Sequence, residues 1–205
     1  MLKCCNRHTE RYVLSGLLLL AALALFTSAC AAEPRLPDHW VSFSSRAGCY
    51  LAGRLESGVH SGEGCGRISS QLARPRDHAL LYQKVSADNY LGRRLQVSGF
   101  LKAKQVKGWA GLWVRVDAAD GKVLQFENMM NEPVRGTIDW KRYSVTVDVP
   151  PEAVGIHFGA LLSGRGEVLV DDFDLEATGP LLPGRELKQR IRVLPAEPAN
   201  LGFER

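Results

Sequence analysis

The sequence predicts an all-β protein, a single antiparallel β-sandwich or jelly roll, which follows an N-terminal signal helix. Three observations support this fold class. Long helical periodicity is absent after residue 36, where short segments alternate apolar with polar residues. Gly, Pro, Asp and Asn separate these segments, as expected for strands joined by turns. An uncharged apolar run, residues 12–26, stands apart from them near the N-terminus.

Residues 1–30 have the three zones of a secretory signal. Lys3, Arg7 and Arg11 precede the apolar run, and small residues follow it. The run is shorter than the about 20 apolar residues that a membrane-spanning helix needs. A cleaved signal is therefore favoured over a permanent membrane helix, and we expect the protein to be exported.

The signal ends in Thr-Ser-Ala-Cys, which resembles a lipobox, the motif in which the thiol of the cysteine is acylated. The resemblance implies a lipid anchor at Cys30, with residues 31–37 as a short tether to the membrane. Ala31 favours the outer over the inner membrane of a diderm, so the expected location is periplasmic or outer-membrane-anchored. Ordinary cleavage at a neighbouring alanine is the alternative, because Thr27 stands where Leu is usual.

Composition narrows the possible functions. The 205 residues carry 26 Lys and Arg against 22 Asp and Glu, without a basic block, so no nucleic-acid partner is expected. The motifs G-x-S-x-G and H-E-x-x-H are missing from the sequence, as is a Gly-rich phosphate loop. The chain after residue 30 has the size of one domain, and we expect it not to be an enzyme.

The five cysteines divide by position. Cys4 and Cys5 lie in the signal, and Cys30 is the candidate lipid site. Cys49 and Cys65 remain as an even pair, which in an oxidising compartment predicts a disulfide bond. A redox or metal site is the alternative, but neither cysteine lies in a CxxC and no His cluster accompanies them.

The first half of the domain is loop-rich. Within residues 37–94, Tyr50, Ile68 and residues 80–82 are the expected strand positions. Residues 95–102 then alternate as a clearer strand.

A hairpin is predicted next. In residues 111–117, apolar even-numbered positions share one face and the odd-numbered positions share the other. The Asp-Gly within residues 119–122 marks a tight turn, and residues 123–126 form the returning strand.

Three further strands complete the series, at residues 140–150, 155–162 and 167–176. The first places Tyr143 and the valines inward. The last changes the parity of its apolar residues part-way, which predicts a β-bulge at 171–172.

Sequence blocks within these strands carry a family resemblance. They are residues 108–117 (GWAGLWVRVD), 137–143 (TIDWKRY), and 158–166 (FGALLSGRG) followed by 170–173 (VDDF). In this order they resemble a galactose-binding-like, carbohydrate-binding-type β-sandwich, the accessory domain of some bacterial AraC-type regulators, erythromycin-esterase-like proteins and secreted peptidase-like proteins. The resemblance covers nearly all of the domain, which we place at residues 38–178.

Residues 179–205 form a Pro-rich tail. Domains of this family often begin with a segment such as N-L-D-F-E that pairs beside the last strand. Here the similar Asn-Leu-Gly-Phe-Glu occupies residues 200–204. The resemblance implies that the tail folds back and adds a strand there. A frayed end or a truncated second repeat is the alternative.

Candidate ligand-binding residues lie on the outward parity of the hairpin. Sugar-binding sandwiches stack a sugar on an aromatic ring and hold its hydroxyls with charged or amide side chains. The corresponding set here is Trp113, Arg115, Asp117, Glu127 and His157. The alternative is that Trp113 packs under a loop or against the tail, as large aromatic side chains usually do.

A structural calcium ion is implied only by the resemblance. Related sandwiches often hold Ca²⁺ near the last strand and the glutamate of N-L-D-F-E. The equivalent ligands would be Asp172 and Glu204, completed by backbone carbonyls. The alternative is that both are ordinary surface acids.

The sequence thus predicts an exported, non-catalytic binding module of the cell envelope, with a glycan or envelope polymer as its partner. One alternative is a structural or assembly lipoprotein that docks to another envelope protein. A hydrolase is a further alternative, for which the sequence shows no assembled Ser, His and acid set.

Overall fold

Nine antiparallel strands make up most of the described chain, which in this computed structural model comprises residues 34–74, 76–179 and 194–205. The strands are β1 (Val41–Ser44), β2 (Tyr50–Leu55), β3 (Cys65–Ser70), β4 (His78–Ser86), β5 (Arg93–Ala118), β6 (Val123–Asn128), β7 (Val134–Val149), β8 (Ala153–Ser163) and β9 (Glu167–Thr178). None of the described residues forms a helix of the length and hydrophobicity that a membrane span requires. The predicted all-β sandwich is confirmed, while the signal segment and Cys30 lie outside the described residues.

The strands form two layers that share β5. Residues 109–118 of β5 pair with β8 and β6, giving a front sheet in the order β1-β4-β8-β5-β6. Residues 93–104 of β5 pair with β7 and β9, giving a back sheet in the order β7-β5-β9-β3-β2. A jelly-roll-like sandwich results, in which one long strand connects the two sheets at a corner.

The continuity of β5 differs from the prediction, which had separate strands at 95–102 and 111–117. The chain bends between them without losing its ladder, because β7 stays paired up to Ala110 through several register shifts. Gln105 adopts a left-handed φ of 52° at the bend. Gly108 then passes so close to β8 that a Cβ there would stand 2.0 Å from the carbonyl oxygen of Ser163.

The alternation predicted for the strands correctly identifies the core. Leu112, Val114 and Val116 of β5 are fully buried, and so are Ile156 and Phe158 of β8. The back sheet supplies the facing layer, for which the buried residues are Leu95, Val97, Val145, Val147, Val149, Val168 and Val170. Two apolar faces therefore meet between the sheets, and each sheet keeps one outward face.

The predicted bulge in β9 is confirmed. Ser98 of β5 lies opposite Asp174, but Phe100 lies opposite Asp171, so β9 holds one extra residue over this interval. Asp172 takes a φ of 46° at the bulge. The extra residue explains why the apolar parity of the strand changes there.

The predicted disulfide between Cys49 and Cys65 is wrong, because both residues are free, buried cysteines. Cys65 lies opposite Leu55 at one end of the β2–β3 pair. Cys49 precedes β2 at the other end, where its carbonyl accepts a hydrogen bond from Gln71. The length of β2 puts them about 20 Å apart at ~3.3 Å per residue, far beyond the reach of an S–S bond. Burial also raises the pKa of the Cys65 thiol to about 11.

The C-terminal segment 194–205 folds back against the sandwich. Phe203 is fully buried, with its ring stacked 4.5 Å from that of Trp40. The amide of Phe173 in β9 donates to the carbonyl of Leu201 at 3.1 Å. Residues 200–204 form a turn rather than the predicted strand, because Asn200 and Phe203 adopt left-handed φ angles of 52° and 56° that interrupt an extended path.

Candidate functional site

The outward side of the front sheet, here called the front face, collects most of the predicted ligand-binding residues. Trp113, Arg115 and Asp117 alternate with buried core residues along β5, so their side chains share the outward side. His157 of β8 lies directly opposite Arg115. The structure therefore brings these four predicted residues together.

Three residues that the sequence analysis missed complete this face. Lys84 of β4 lies opposite His157, and Tyr82 lies two residues before it. Phe126 of β6 lies opposite Arg115 from the other side. Tyr82 and Lys84 lie in a strand predicted only around residues 80–82, and strand pairing across the sheet is not visible in a single sequence.

Glu127 does not join the front face. It lies opposite Val114, whose side chain points into the core, and its neighbour Phe126 takes the outward position instead. The cause is a register shift between Val116 and Asp117, because one additional residue in a strand exchanges its inward and outward positions.

Trp113 forms the floor of the face rather than an exposed platform. Only 4% of the residue is exposed. Its indole Nε1 donates to the carbonyl of Ala160 at 3.3 Å, and its ring lies 5.7 Å from that of Tyr82. The packed alternative for Trp113 is thus the one that the structure shows, with the ring of Tyr82 beside it.

Tyr82 and Phe126 are solvent-accessible aromatic side chains beside these residues. Tyr82 is half-buried, and its ring is nearly parallel to the imidazole of His157 at 6.0 Å. Phe126 is 53% exposed at the edge of the sheet. These two rings flank the polar residues of the face and provide surfaces on which a flat apolar group can stack.

Arg115, Asp117 and His157 form a polar cluster between those rings. Both Arg115 Nη2 and His157 Nε2 approach the same carboxylate oxygen, Asp117 Oδ2, at 2.9 and 3.1 Å. The side chains of Asp117 and His157 are each 10% exposed, whereas that of Arg115 is 38% exposed. Burial, and then the positive charge of Arg115, lowers the pKa of His157 to about 4, so the imidazole is neutral at pH 7.

This cluster is short of hydrogen bonds. Of the five buried side-chain polar atoms without a hydrogen-bond partner in the described chain, three are Arg115 Nε, Asp117 Oδ1 and His157 Nε2. The contact of His157 with Asp117 is close but lies outside hydrogen-bond geometry. Each buried unpaired group costs about 1–3 kcal/mol. A ligand that supplies both a donor and an acceptor would relieve this cost once the half-exposed Arg115 side chain moves aside.

The predicted calcium ligands, Asp172 and Glu204, lie on either side of Gly202, and both are engaged in hydrogen bonds. An oxygen of each stands 3.6 Å from where a Cβ on Gly202 would be. Asp172 accepts from His60 Nδ1 at 2.7 Å and from the hydroxyl of Ser61, and Glu204 accepts from the amide of Glu63.

Calcium binding by these two carboxylates, completed by backbone carbonyls, stays a prediction. Ca²⁺ needs six to eight oxygen ligands. Among the described residues, no group of three or more acidic, His or Cys side chains is placed to hold a metal. In the structure, Asp172 ties the loop 57–64 to β9 of the back sheet, and Glu204 ties the same loop to the C-terminal segment.

Asp171 holds the same loop from beneath. Its fully buried carboxylate accepts hydrogen bonds from the backbone amides of His60 and Ser61 at 3.0 and 3.3 Å. Burial raises its pKa to about 6, despite these bonds. The ring of His60 stacks on Phe100 with centroids 3.6 Å apart. His60 and Ser61 both bond to Asp172 rather than to each other, so they do not form a nucleophile and base pair.

Comparison with known proteins adds information on the fold. No protein-family model matches the chain. Over 166 residues the chain is 39% identical to YbfP of Bacillus subtilis, an uncharacterised HTH-type transcriptional regulator; the match covers 80% of this chain but only 56% of that protein.

Solved structures with similar folds are parts of larger proteins. The enzymatically active domain of tailspike protein 4 from bacteriophage CBA120 has a TM-score of 0.55 at 12% identity, covering 69% of this chain and 20% of that one. The CBM22-1 and GH10 modules of endo-1,4-beta-D-xylanase 10B from Clostridium thermocellum, complexed with xylohexaose, give 0.50 at 16%, covering 71% of this chain and 27% of that one. At these identities the similarity is one of fold alone.

The fold and these similarities define a class of architecture, the jelly-roll-like β-sandwich. The narrower galactose-binding-like assignment and the AraC-type context stay predictions. Within this class, the front face is the surface of our protein whose chemistry resembles that of a ligand site.

Proposed function

We propose that the protein is an exported, non-catalytic module of the cell envelope that binds a glycan or envelope polymer on its front face. The observation that carries this proposal is the buried, unpaired donor Arg115 Nε beside the buried, unpaired acceptor Asp117 Oδ1. The two solvent-accessible rings of Tyr82 and Phe126 flank them.

A sugar matches both features. Each hydroxyl is a donor and an acceptor at once, so neighbouring hydroxyls can pair with Arg115 and Asp117 together. The apolar face of a pyranose ring can stack on Tyr82 or Phe126, which keeps the hydroxyls directed at the polar cluster. The strands fix the backbone beneath these side chains, so the rearrangement that binding needs is limited to the side chain of Arg115.

The similar structures support this proposal at the level of the fold, because one of them is a carbohydrate-binding module and glycosidase pair complexed with xylohexaose. The similarity to a transcriptional regulator supports a binding role as well. A module whose partner is a small or polymeric ligand can serve in either setting, since its role does not depend on DNA.

Export and a lipid anchor at Cys30 belong to the same proposal. They rest on the signal zones and the lipobox resemblance of residues 27–30. An anchor there would hold the sandwich near a membrane surface, where envelope polymers are within reach.

The proposal is tested by affinity electrophoresis in gels that contain soluble envelope and plant polysaccharides. We expect at least one polysaccharide to retard the wild-type protein. Tyr82→Ala and Asp117→Asn should each weaken that retardation about tenfold, because they remove a stacking surface and a charged acceptor.

A matched control lies on the opposite surface. Asp148 pairs with Arg94 at 2.8 Å on the back sheet. This pair has the same residue types as Arg115 and Asp117, but both of its side chains are exposed. Asp148→Asn should leave the retardation unchanged. Retardation that survives both front-face substitutions would rule out this face, and no retardation by any polysaccharide would overturn the glycan function.

Docking to another envelope protein is the second candidate. Strand β1 lies at the edge of the front sheet, and its Val41 and Phe43 are each 48% exposed. An edge strand with apolar side chains can pair with a strand of a partner. This candidate would be favoured if an envelope protein co-purified with the wild-type protein in stoichiometric amount and was lost with Phe43→Asp, while no glycan retained the protein.

A further inference from the structure

The front face carries a row of basic side chains that a neutral sugar would leave unused. Lys84, His157 and Arg115 lie directly opposite one another on three adjacent strands, β4, β8 and β5. Neighbouring side chains on one face of a sheet stand about 5 Å apart. The row therefore places one lysine, one imidazole and one guanidinium side by side.

A single carboxylate faces this row. Among the outward positions of the front-sheet strands, Asp117 is the one acidic residue, and Arg115 already approaches it at 2.9 Å. The ammonium of Lys84 has no ion-pair partner within the described chain, and its side chain is exposed. Because His157 is neutral at pH 7, the row with Asp117 keeps one net positive charge.

Lys84 is also directed along the face. Its Cε lies 3.4 Å from the point where a Cβ on Gly155 would stand, and Leu194 Cδ1 of the C-terminal segment lies 3.2 Å from the same point, so this lysine runs over β8 beside that segment. The positive charge of Lys84 acts on His157 too, lowering the pKa of the imidazole together with the larger effect of Arg115. The charges of Lys84 and Arg115 are therefore both close to His157 on the outward side of the sheet.

We propose that the glycan bound by the front face is acidic, a polysaccharide that contains uronic acid units. This inference rests on the proposed function and specifies its ligand class. The carboxylate of a uronate binds between Lys84 and the exposed part of Arg115, its ring stacks on Tyr82, and a hydroxyl of the same sugar pairs with Asp117. Charge-assisted hydrogen bonds of this type are roughly twice as strong as neutral ones.

The experiment compares matched acidic and neutral polymers by isothermal titration calorimetry with the full mature domain. The two pairs are polygalacturonate with its methyl ester, and alginate with its propylene glycol ester. Esterification removes the charge and keeps the sugar backbone. We expect at least one acidic polymer to bind about tenfold more tightly than its ester, and added salt to weaken binding of the acid alone.

The variant that tests the site is Lys84→Gln, with Lys104→Gln on the back sheet as its control, since both lysines are exposed strand residues. Lys84→Gln should weaken binding of the acidic polymer about tenfold and leave binding of its ester unchanged. Lys104→Gln should change neither. Equal binding of acid and ester, or no effect of Lys84→Gln, would overturn the acidic ligand while the glycan function stands. Binding of neutral xylan or galactan alone would do the same, and binding of no polymer at all would overturn both proposals.

Discussion

Asp171 and His157 are two buried residues of the described chain whose charge states respond to mild acid. Burial favours the neutral form of each, which raises the pKa of Asp171 from 3.8 to about 6 and lowers that of His157 from 6.5 to about 4. The effects on stability have opposite signs. Stability due to Asp171 is fully present below pH 3.8 and is lost as the pH rises through 6. Stability due to His157 is present above pH 6.5 and is lost as the pH falls through 4.

We therefore expect these two residues to compensate each other in the wild-type protein between about pH 4 and 6.5. His157→Asn removes one of them, so the free energy of unfolding of this variant should rise by ~3 kcal/mol on acidification from pH 6.5 to pH 4 relative to the wild-type profile. Urea denaturation at a series of pH values measures this difference. His39→Asn, at an exposed position, serves as the control. Parallel profiles for His157→Asn and the wild type would contradict the assignment of a buried neutral imidazole.

At the scale of elements, the C-terminal turn contributes to the core together with the strands. Its Phe203 fills the end of the core beside Trp40, and Trp40 donates from Nε1 to the carbonyl of Asn200 at 3.0 Å. The side-chain amide of Gln83 in β4 also fixes this segment, because it donates to the carbonyl of Ala199 and accepts from the N–H of Ala199. The left-handed φ of Phe203 is unfavourable for a bulky residue, so its burial has to offset that cost.

Phe203→Ala should therefore lower the free energy of unfolding by about 3–5 kcal/mol, because it leaves a large cavity in a close-packed core. Urea denaturation of the protein measures the loss. Leu72→Ala is the control, since Leu72 is 77% exposed, and it should change stability by less than about 0.5 kcal/mol. A loss of less than about 1 kcal/mol for Phe203→Ala would mean that the tail is dispensable for the fold.

At the scale of the whole molecule, the prediction concerns lipid anchoring through Cys30. If Cys30 is acylated, mass spectrometry of the protein expressed in a bacterial host with its own signal should show a mature chain that begins at Cys30 and carries lipid. Cys30→Ser should lose the lipid and the membrane association together, because one residue provides the anchor. An unmodified N-terminus at a neighbouring alanine would instead support ordinary signal cleavage.

The amino-acid sequence was enough to predict the fold class and the direction of most side chains. Alternation in β5, β7 and β8 separated core residues such as Val114 and Phe158 from outward ones such as Arg115, and the parity change in β9 located the bulge. These features are local, because successive side chains of a strand point to opposite faces wherever the strand lies. The outward set Trp113, Arg115, Asp117 and His157 followed from the same rule.

The folded structure was needed to establish which outward residues become neighbours and which stay exposed. It placed Phe126 rather than Glu127 beside Arg115, brought Lys84 and Tyr82 to the same face, and buried Trp113 beneath its neighbours. It also put the two cysteines at opposite ends of a strand pair. Register between strands distant in sequence depends on bulges and on the packing of the whole core, and a single sequence does not reveal either.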